Sequence, residues 1–210
     1  MSILDELISQ RRSIRTYKAD MPPEEWIAAL LRSASKAPSP TNSRPVRFIR
    51  IKSPDRRAAL HKAMHQGYQT LLEAAKTCEK PRRKTNVINA YWRYSDFIKT
   101  APLLFAVGVA TNGTGFSKRL FDAKIIHRDD RTNTDLDITI GLALKGFLLK
   151  GVELGLGMCI LTAPLVFAGN IEDVLGLSGI RIKCLVTAGY PDETPPYIDR
   201  PNSNDMYLEI

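Results

Sequence analysis

The 210-residue sequence predicts an α+β fold in a single domain spanning 1–210, and three observations carry that prediction. Apolar residues recur at helical spacing in several long segments. The run Ala101–Ala110 is apolar on both faces, as a central buried strand must be. Helix-like and strand-like segments are also mixed without the regular alternation that a parallel βαβ sheet requires.

The elements follow in chain order. Ser2 with Asp5 at the third helical position makes a capping pair, and Leu4, Leu7 and Ile8 form the apolar stripe of a first helix. Asp20-Met21-Pro22-Pro23-Glu24-Glu25 opens a second helix, with prolines at its start and acids in its first turn. Ile27, Leu30, Leu31 and Ala34 follow at i, i+3, i+4 and i+7, and Pro38 and Pro40 end it. Val46–Lys52 is β-branched and aromatic and reads as a strand. Pro54 opens a helical region over 55–80, and 89–100 reads as a further amphipathic helix before the apolar strand. Residues 111–133 are polar and basic and too long for a connector, which suits a lid or a subunit arm. Thr134 and Asp137 have the spacing of a cap for a helix over 135–154 that is apolar nearly all round. Such a helix is buried in a core or in a subunit interface. Gly155-Leu156-Gly157 turns the chain into a strand over 158–161, and a short helix over 171–177 precedes a strand over 181–188. Met206, Leu208 and Ile210 alternate as a terminal strand would.

Composition narrows the function classes. A net charge of +8 favours anionic partners: nucleic acid, a membrane surface or a phosphorylated cofactor. The basic residues come in twos and threes, such as Arg82-Arg83-Lys84, as on solvated faces. Cys159 and Cys184 stand in apolar sequence and read as small buried residues in a reducing compartment, so a cytoplasmic location is expected. The N-terminus is acidic and unlike a signal peptide, and Gly155, Gly157, Pro164, Gly169 and Asn170 break the uncharged stretch 154–171. Gly155-Leu156-Gly157 follows a helix and lacks a third glycine, which excludes a dinucleotide fingerprint. His61 and His65 are four apart on a helix but have no further ligand nearby, so they read as exposed helix histidines and no metal is expected. Tyr91, Trp92 and Tyr94 beside Arg93 leave open a nucleic-acid face, against an aromatic helix face docked on the core.

Two stretches carry the strongest chemistry. Arg11-Arg12-Ser13-Ile14-Arg15 sets three guanidiniums and a hydroxyl at one bend, a donor set suited to a phosphate. Helix capping also accounts for Arg11 and Arg12, but not for Ser13 and Arg15. Ala37-Pro38-Ser39-Pro40-Thr41-Asn42-Ser43-Arg44-Pro45 is a rigid polar loop against which a planar ring can lie. A phosphate at one end and a flat ring at the other describe a mononucleotide cofactor, if both stretches face one pocket.

Taken with Asp96-Phe97-Ile98-Lys99-Thr100-Ala101-Pro102, the segment from Asp137 to Leu156-Gly157-Met158-Cys159, and Gly189-Tyr190-Pro191 with the later Arg200, these motifs resemble the nitroreductase-like FMN flavoproteins nearly end to end. The resemblance implies an α/β sandwich whose mostly antiparallel central sheet is flanked by helices, in an intertwined homodimer with FMN sites at the interface. It implies that Arg11, Arg12, Ser13, Arg15 and Arg200 hold the phosphate. Pro38, Ser39, Pro40 and Asn42 meet the ring and its ribityl edge, and Leu161, Thr162 and Ala163 lie against the flavin from the other subunit's side. NADH or NADPH is then the electron donor, and the acceptor a nitroaromatic, a quinone or a related small molecule, with the chemistry carried by FMN and no catalytic side chain. A reductive dehalogenase-like or flavin-handling relative is the alternative within the family, and a basic nucleic-acid-binding protein the alternative outside it. The sequence departs from the family at Arg44, where glutamine is common, and at Val46, where tryptophan is common. An Arg44 that points inward would favour the anionic reduced flavin and raise its potential, or meet the substrate.

Overall fold

The computed structural model describes residues 2–111, 116–127, 132–196 and 206–210. Four strands form one antiparallel sheet: β1 (Val46–Arg50), β2 (Leu103–Ala110), β3 (Gly157–Leu161) and β4 (Ile180–Gly189), in the order β1-β2-β4-β3. The helices are α1 (Ile3–Gln10), α2 (Glu24–Ala34), α3 (Pro54–Lys76), α4 (Pro81–Arg93), α5 (Phe116–Asp122), α6 (Thr132–Glu153), α7 (Ala163–Ala168) and α8 (Ile171–Leu175). With helices on both faces of the sheet, the architecture is the expected α+β sandwich.

Period-two alternation on β2 divides the core. Leu103, Phe105, Val107 and Val109 point into a cluster with Leu30 of α2 and Phe147 of α6, while Leu104 and Ala106 point to Leu60 and Met64 of α3 and Phe167 of α7. A register shift at Val107/Gly108 lets Ile182 and Cys184, two apart on β4, face opposite clusters. The Cys184 thiol, deep in the α2–α6 side, is pushed up to about 12 by burial. Cys159 is buried as well, and Cys78 is exposed.

The local signals hold where they are strongest. Ser2 and Asp5 form a reciprocal capping box on α1, and α2 starts behind Pro22-Pro23 as expected. Several expectations are corrected. α1 contributes no fully buried residue: it rests on α6 with Leu7 half-buried, while Leu4 and Ile8 of its stripe stay exposed. The helix expected over 89–100 begins at Pro81 and ends at Arg93; Ser95, fully buried, donates to the Tyr91 carbonyl and closes it before a short 3-10 turn over Asp96–Lys99. α6 already runs from Thr132, so Thr134 lies inside the helix and is not its cap. The tract expected as an irregular loop contains α5, and α7 falls where no helix was expected. Met206, Leu208 and Ile210 are exposed and form no strand among the described residues.

The histidine reading also changes. His61 is half-buried and Nε2 lies 2.7 Å from Asp96 Oδ1, while Lys99 donates to the other carboxylate oxygen at 2.6 Å. Burial alone would raise the Asp96 carboxyl, but the His61 and Lys99 hydrogen bonds outweigh it and hold the carboxyl below its usual value. His65 remains exposed. Among the described residues no helix is long and apolar enough to cross a membrane, and no cluster has the makings of a metal site.

The α3–α7 crossing depends on a missing side chain. A Cβ on Gly67 would collide with the Phe167 carbonyl, a backbone group that cannot turn aside. Gly67→Ala is therefore expected to destabilise the fold by about 1–3 kcal/mol. Thermal denaturation checks this, and an unchanged Tm would mean that α7 is not held against α3 in this way.

Candidate functional site

Past α1 the chain enters the β3 edge of the sheet. Ser13 forms a parallel bridge with Met158, and the Ile14 amide donates to the Met158 carbonyl at 3.0 Å. Tyr17 then bridges to Pro191, next to the end of β4. The Tyr17 hydroxyl fixes this segment, donating to the Ile14 carbonyl at 2.5 Å and lying 2.8 Å from Thr187 Oγ1, which is fully buried. Burial pushes the Tyr17 phenol far above its ordinary value, with the Thr187 hydrogen bond opposing, so it stays a neutral hydroxyl.

That edge brings Arg11, Ser13 and Arg15 together around Cys159. Burial raises the Cys159 thiol and the Glu193 carboxylate adds to the effect, while Arg15, Arg11 and a hydrogen bond from Ser13 oppose it. The thiol is thus a neutral packing residue. The Arg15 guanidinium sits 5.1 Å above the Tyr94 ring, and its Nε is buried with no hydrogen-bond partner among the described residues. A buried charged donor without an acceptor is costly, which marks a place where an anion would be stabilised.

The chain after β4 returns to the same cluster. Glu193 accepts from the backbone amides of Arg15 and, at 3.0 Å, Thr16, and the Arg12 guanidinium donates to the Pro196 carbonyl. Arg200, the expected far-end phosphate ligand, lies outside the described residues. Tyr94 and Glu193 were not found by sequence reading, since each reaches the cluster only through long-range packing. Leu161 ends β3, three residues or about 10 Å along the strand from the Ser13 bridge at Met158, and Thr162 and Ala163 lead from it into α7.

The loop of Pro38, Ser39, Pro40, Asn42 and Arg44 lies elsewhere. It leads into β1 at the opposite edge, where Val46 pairs with Val109. Ser13, Met158, Ala188 and Leu103 share one line across the sheet, so the two stretches are about four strand spacings, or ~19 Å, apart across it and about 20 Å apart along β2. The expectation that both face one pocket fails within a single chain: antiparallel pairing places them at opposite edges and opposite strand ends.

The loop is strained. Thr41, Asn42 and Arg44 all have positive φ, at 52°, 54° and 48°. Each such residue costs about 1 kcal/mol or more, and such strain concentrates where function requires a fixed backbone. The Ser39 hydroxyl accepts from the Arg44 amide at 2.9 Å, and Arg44 Nε donates to Asn42 Oδ1 at 3.2 Å. Arg44 thus occupies the amide oxygen of Asn42 and leaves its NH2 free to donate outward. The alternative nucleic-acid face is corrected at Trp92, which stacks on Tyr68 at 4.6 Å and meets Phe167 edge-on at 5.6 Å, so it offers no free ring for a base.

An edge on which guanidiniums and a hydroxyl converge, on an α+β sandwich covered by helices on both faces, has the chemistry to receive an anion. Comparison with known proteins is specific: the nitroreductase family model matches residues 8–190, and the chain belongs to that family. It is 24% identical over 201 residues to an iodotyrosine deiodinase of Thermotoga neapolitana, covering 95% of each chain. A BluB-like flavoprotein of Clostridium difficile superposes with a TM-score of 0.81 at 22% identity over the full length of both chains. The FMN-dependent nitroreductase NfnB of Mycobacterium smegmatis, solved with NADPH, superposes at 0.69 and 18% identity, covering 99% of this chain and 97% of its own.

The Tyr17 anchor can be tested alone. Tyr17→Phe leaves the buried Thr187 hydroxyl without its partner and is expected to cost about 1–3 kcal/mol. Denaturant titration measures the loss, and a change within about 0.5 kcal/mol would remove Tyr17 as the fastener of the arginine segment.

Proposed function

We propose that this chain is an FMN-dependent oxidoreductase, acting as a homodimer in the cytoplasm and moving electrons from NADH or NADPH to a nitroaromatic, quinone or related small acceptor. The observation that carries the reading is the arginine cluster with the unpartnered Nε of Arg15, in a chain of the nitroreductase family. Forked guanidinium donors and a hydroxyl are the donor set that suits the phosphate end of FMN.

Bound FMN supplies the hydride and electron chemistry, so the protein needs no acid–base pair or metal of its own. The chain's residues bind and orient. Arg11, Arg12, Ser13 and Arg15 hold the phosphate, and Arg200 is a further phosphate ligand on the family resemblance alone. Pro38, Ser39, Pro40 and Asn42 form the wall for the ring and its ribityl edge, and Leu161, Thr162 and Ala163 cover it from the β3 edge. Arg44 acts through Asn42, keeping the amide turned so that only its NH2 meets the cofactor.

A second copy of the chain completes the site, because phosphate cluster and ring loop sit too far apart in one. Apolar surface supports this reading. Ile138 and Leu142 of α6 are exposed on a helix that otherwise packs into the core, and Ile3, Leu4 and Ile8 of α1 are exposed as well. With all three cysteines unpaired, nothing calls for an oxidising compartment.

The phosphate contact separates cleanly from ring binding. A double substitution of Ser13 and Arg15 to Ala is expected to weaken FMN binding by about a hundredfold while leaving riboflavin, which lacks the phosphate, bound as before. Fluorescence titration with both flavins checks this. Equal losses for the two, or no loss for either, would contradict a phosphate site at Ser13 and Arg15.

A further inference from the structure

A cavity of about 410 Å3 opens between α3, α4 and the start of α7. Leu71, Ile88, Tyr91, Thr162, Val166 and Phe167 contribute to its walls. This volume suits one small molecule, and the lining is of the kind such sites use: mostly apolar, with aromatic rings and a few hydroxyls. Among the described residues, none that lines it carries a charge. An ion entering would shed its water with no opposite charge to replace it.

The walls are preformed. Tyr68 of α3 and Trp92 of α4 stack on each other, and both meet the Phe167 ring edge-on, at 6.2 Å and 5.6 Å. These contacts fix α4 and α7 relative to α3. The cavity also adjoins the end of β3, because Thr162 and Ala163, which follow that strand, belong to its lining.

We propose that this cavity is the acceptor site, and that it selects an uncharged one- or two-ring aromatic oxidant over a zwitterionic amino acid such as an iodotyrosine. The proposal rests on the oxidoreductase reading above and adds to it the place and the charge class of the acceptor. Tyr91 and Phe167 give a flat ring surfaces to lie against, and the Thr162 and Tyr91 hydroxyls are the polar groups that can meet a carbonyl or nitro oxygen. For a quinone the balance closes with a reduced nicotinamide. NADH gives up a hydride, one proton comes from solvent, and the two carbonyl oxygens become the two hydroxyls of the hydroquinone as NAD+ leaves. An amino acid laid in the cavity would set its ammonium and carboxylate beside Leu71, Ile88 and Val166, and no described lining residue carries a charge to pair with either group.

Val166 and Val87 lie on the cavity's rim at 69% and 49% exposure, so a carboxylate can be placed at either without disturbing the core. In the FMN-loaded protein, Val166→Glu and, separately, Val87→Glu are expected to raise KM for menadione about tenfold or more, with bound FMN per chain unchanged. Saturable quenching of tryptophan fluorescence by menadione, read through Trp92 against Phe167, is expected to weaken in parallel. Wild-type enzyme is expected to favour menadione over 3-iodo-L-tyrosine by about a hundredfold or more in kcat/KM. Unchanged KM and quenching in both variants, or comparable turnover of 3-iodo-L-tyrosine, would overturn the proposal while the oxidoreductase reading stands. A wild-type chain that takes up no FMN overturns the oxidoreductase reading, and the quenching titration then decides the cavity by itself.

Discussion

Helices cover both faces of the four-stranded sheet, so a polar group that is to reach the sheet itself must do so at its edges and strand ends. β2 shows the constraint at its strongest, with Leu103, Phe105 and Val107 committed to one core and Leu104 and Ala106 to the other. No charged group can enter those layers without heavy desolvation cost. The β3 edge therefore carries the arginine cluster, and the β1 edge carries the strained loop. Antiparallel pairing then fixes the distance between them, and the proposed function therefore takes each complete site from two chains.

The same constraint accounts for how each edge is held. On the β3 side a single bridge at Ser13 and the buried Tyr17–Thr187 contact keep an otherwise short extended segment in place. Arg15 is ordered by the Tyr94 ring and by a backbone amide tied to Glu193, which leaves its Nε ready for an acceptor. On the β1 side three left-handed residues are stabilised by the Ser39 and Asn42 side chains. Both edges are thus ordered in advance, which reduces the entropy lost when a ligand binds.

Much of this was legible in the sequence. The α2 start, the doubly buried β2 and the α6 core face follow from local chemistry and period, and the structure agrees with them. Arg11, Ser13 and Arg15 could be grouped because they are near neighbours in the chain, and the run of motifs pointed to the right family. What stayed hidden depends on long-range packing. Ser95 ends α4 by burying its hydroxyl against the Tyr91 carbonyl, and no local pattern announces that contact. Tyr94 and Glu193 join the arginine cluster from positions about 80 and 180 residues away, so spacing gave no sign of them. The apolar stripe of α1 and the alternating 206–210 segment have the patterns of packed elements, yet Leu4, Ile8, Met206, Leu208 and Ile210 are exposed among the described residues.

The central claim is that the phosphate half and the ring half of each site come from different chains. Mixed dimers test it most directly. One variant carries the Ser13→Ala and Arg15→Ala pair, and the other carries Asn42→Ala with Arg44→Ala. Each alone is expected to bind FMN poorly. Unfolded together in equal amounts and refolded, half of the dimers combine one chain of each kind, and in those one site has both halves intact. About a quarter of the wild-type FMN sites should then return at wild-type affinity. A mixture that binds no more FMN than its separate components would contradict the account.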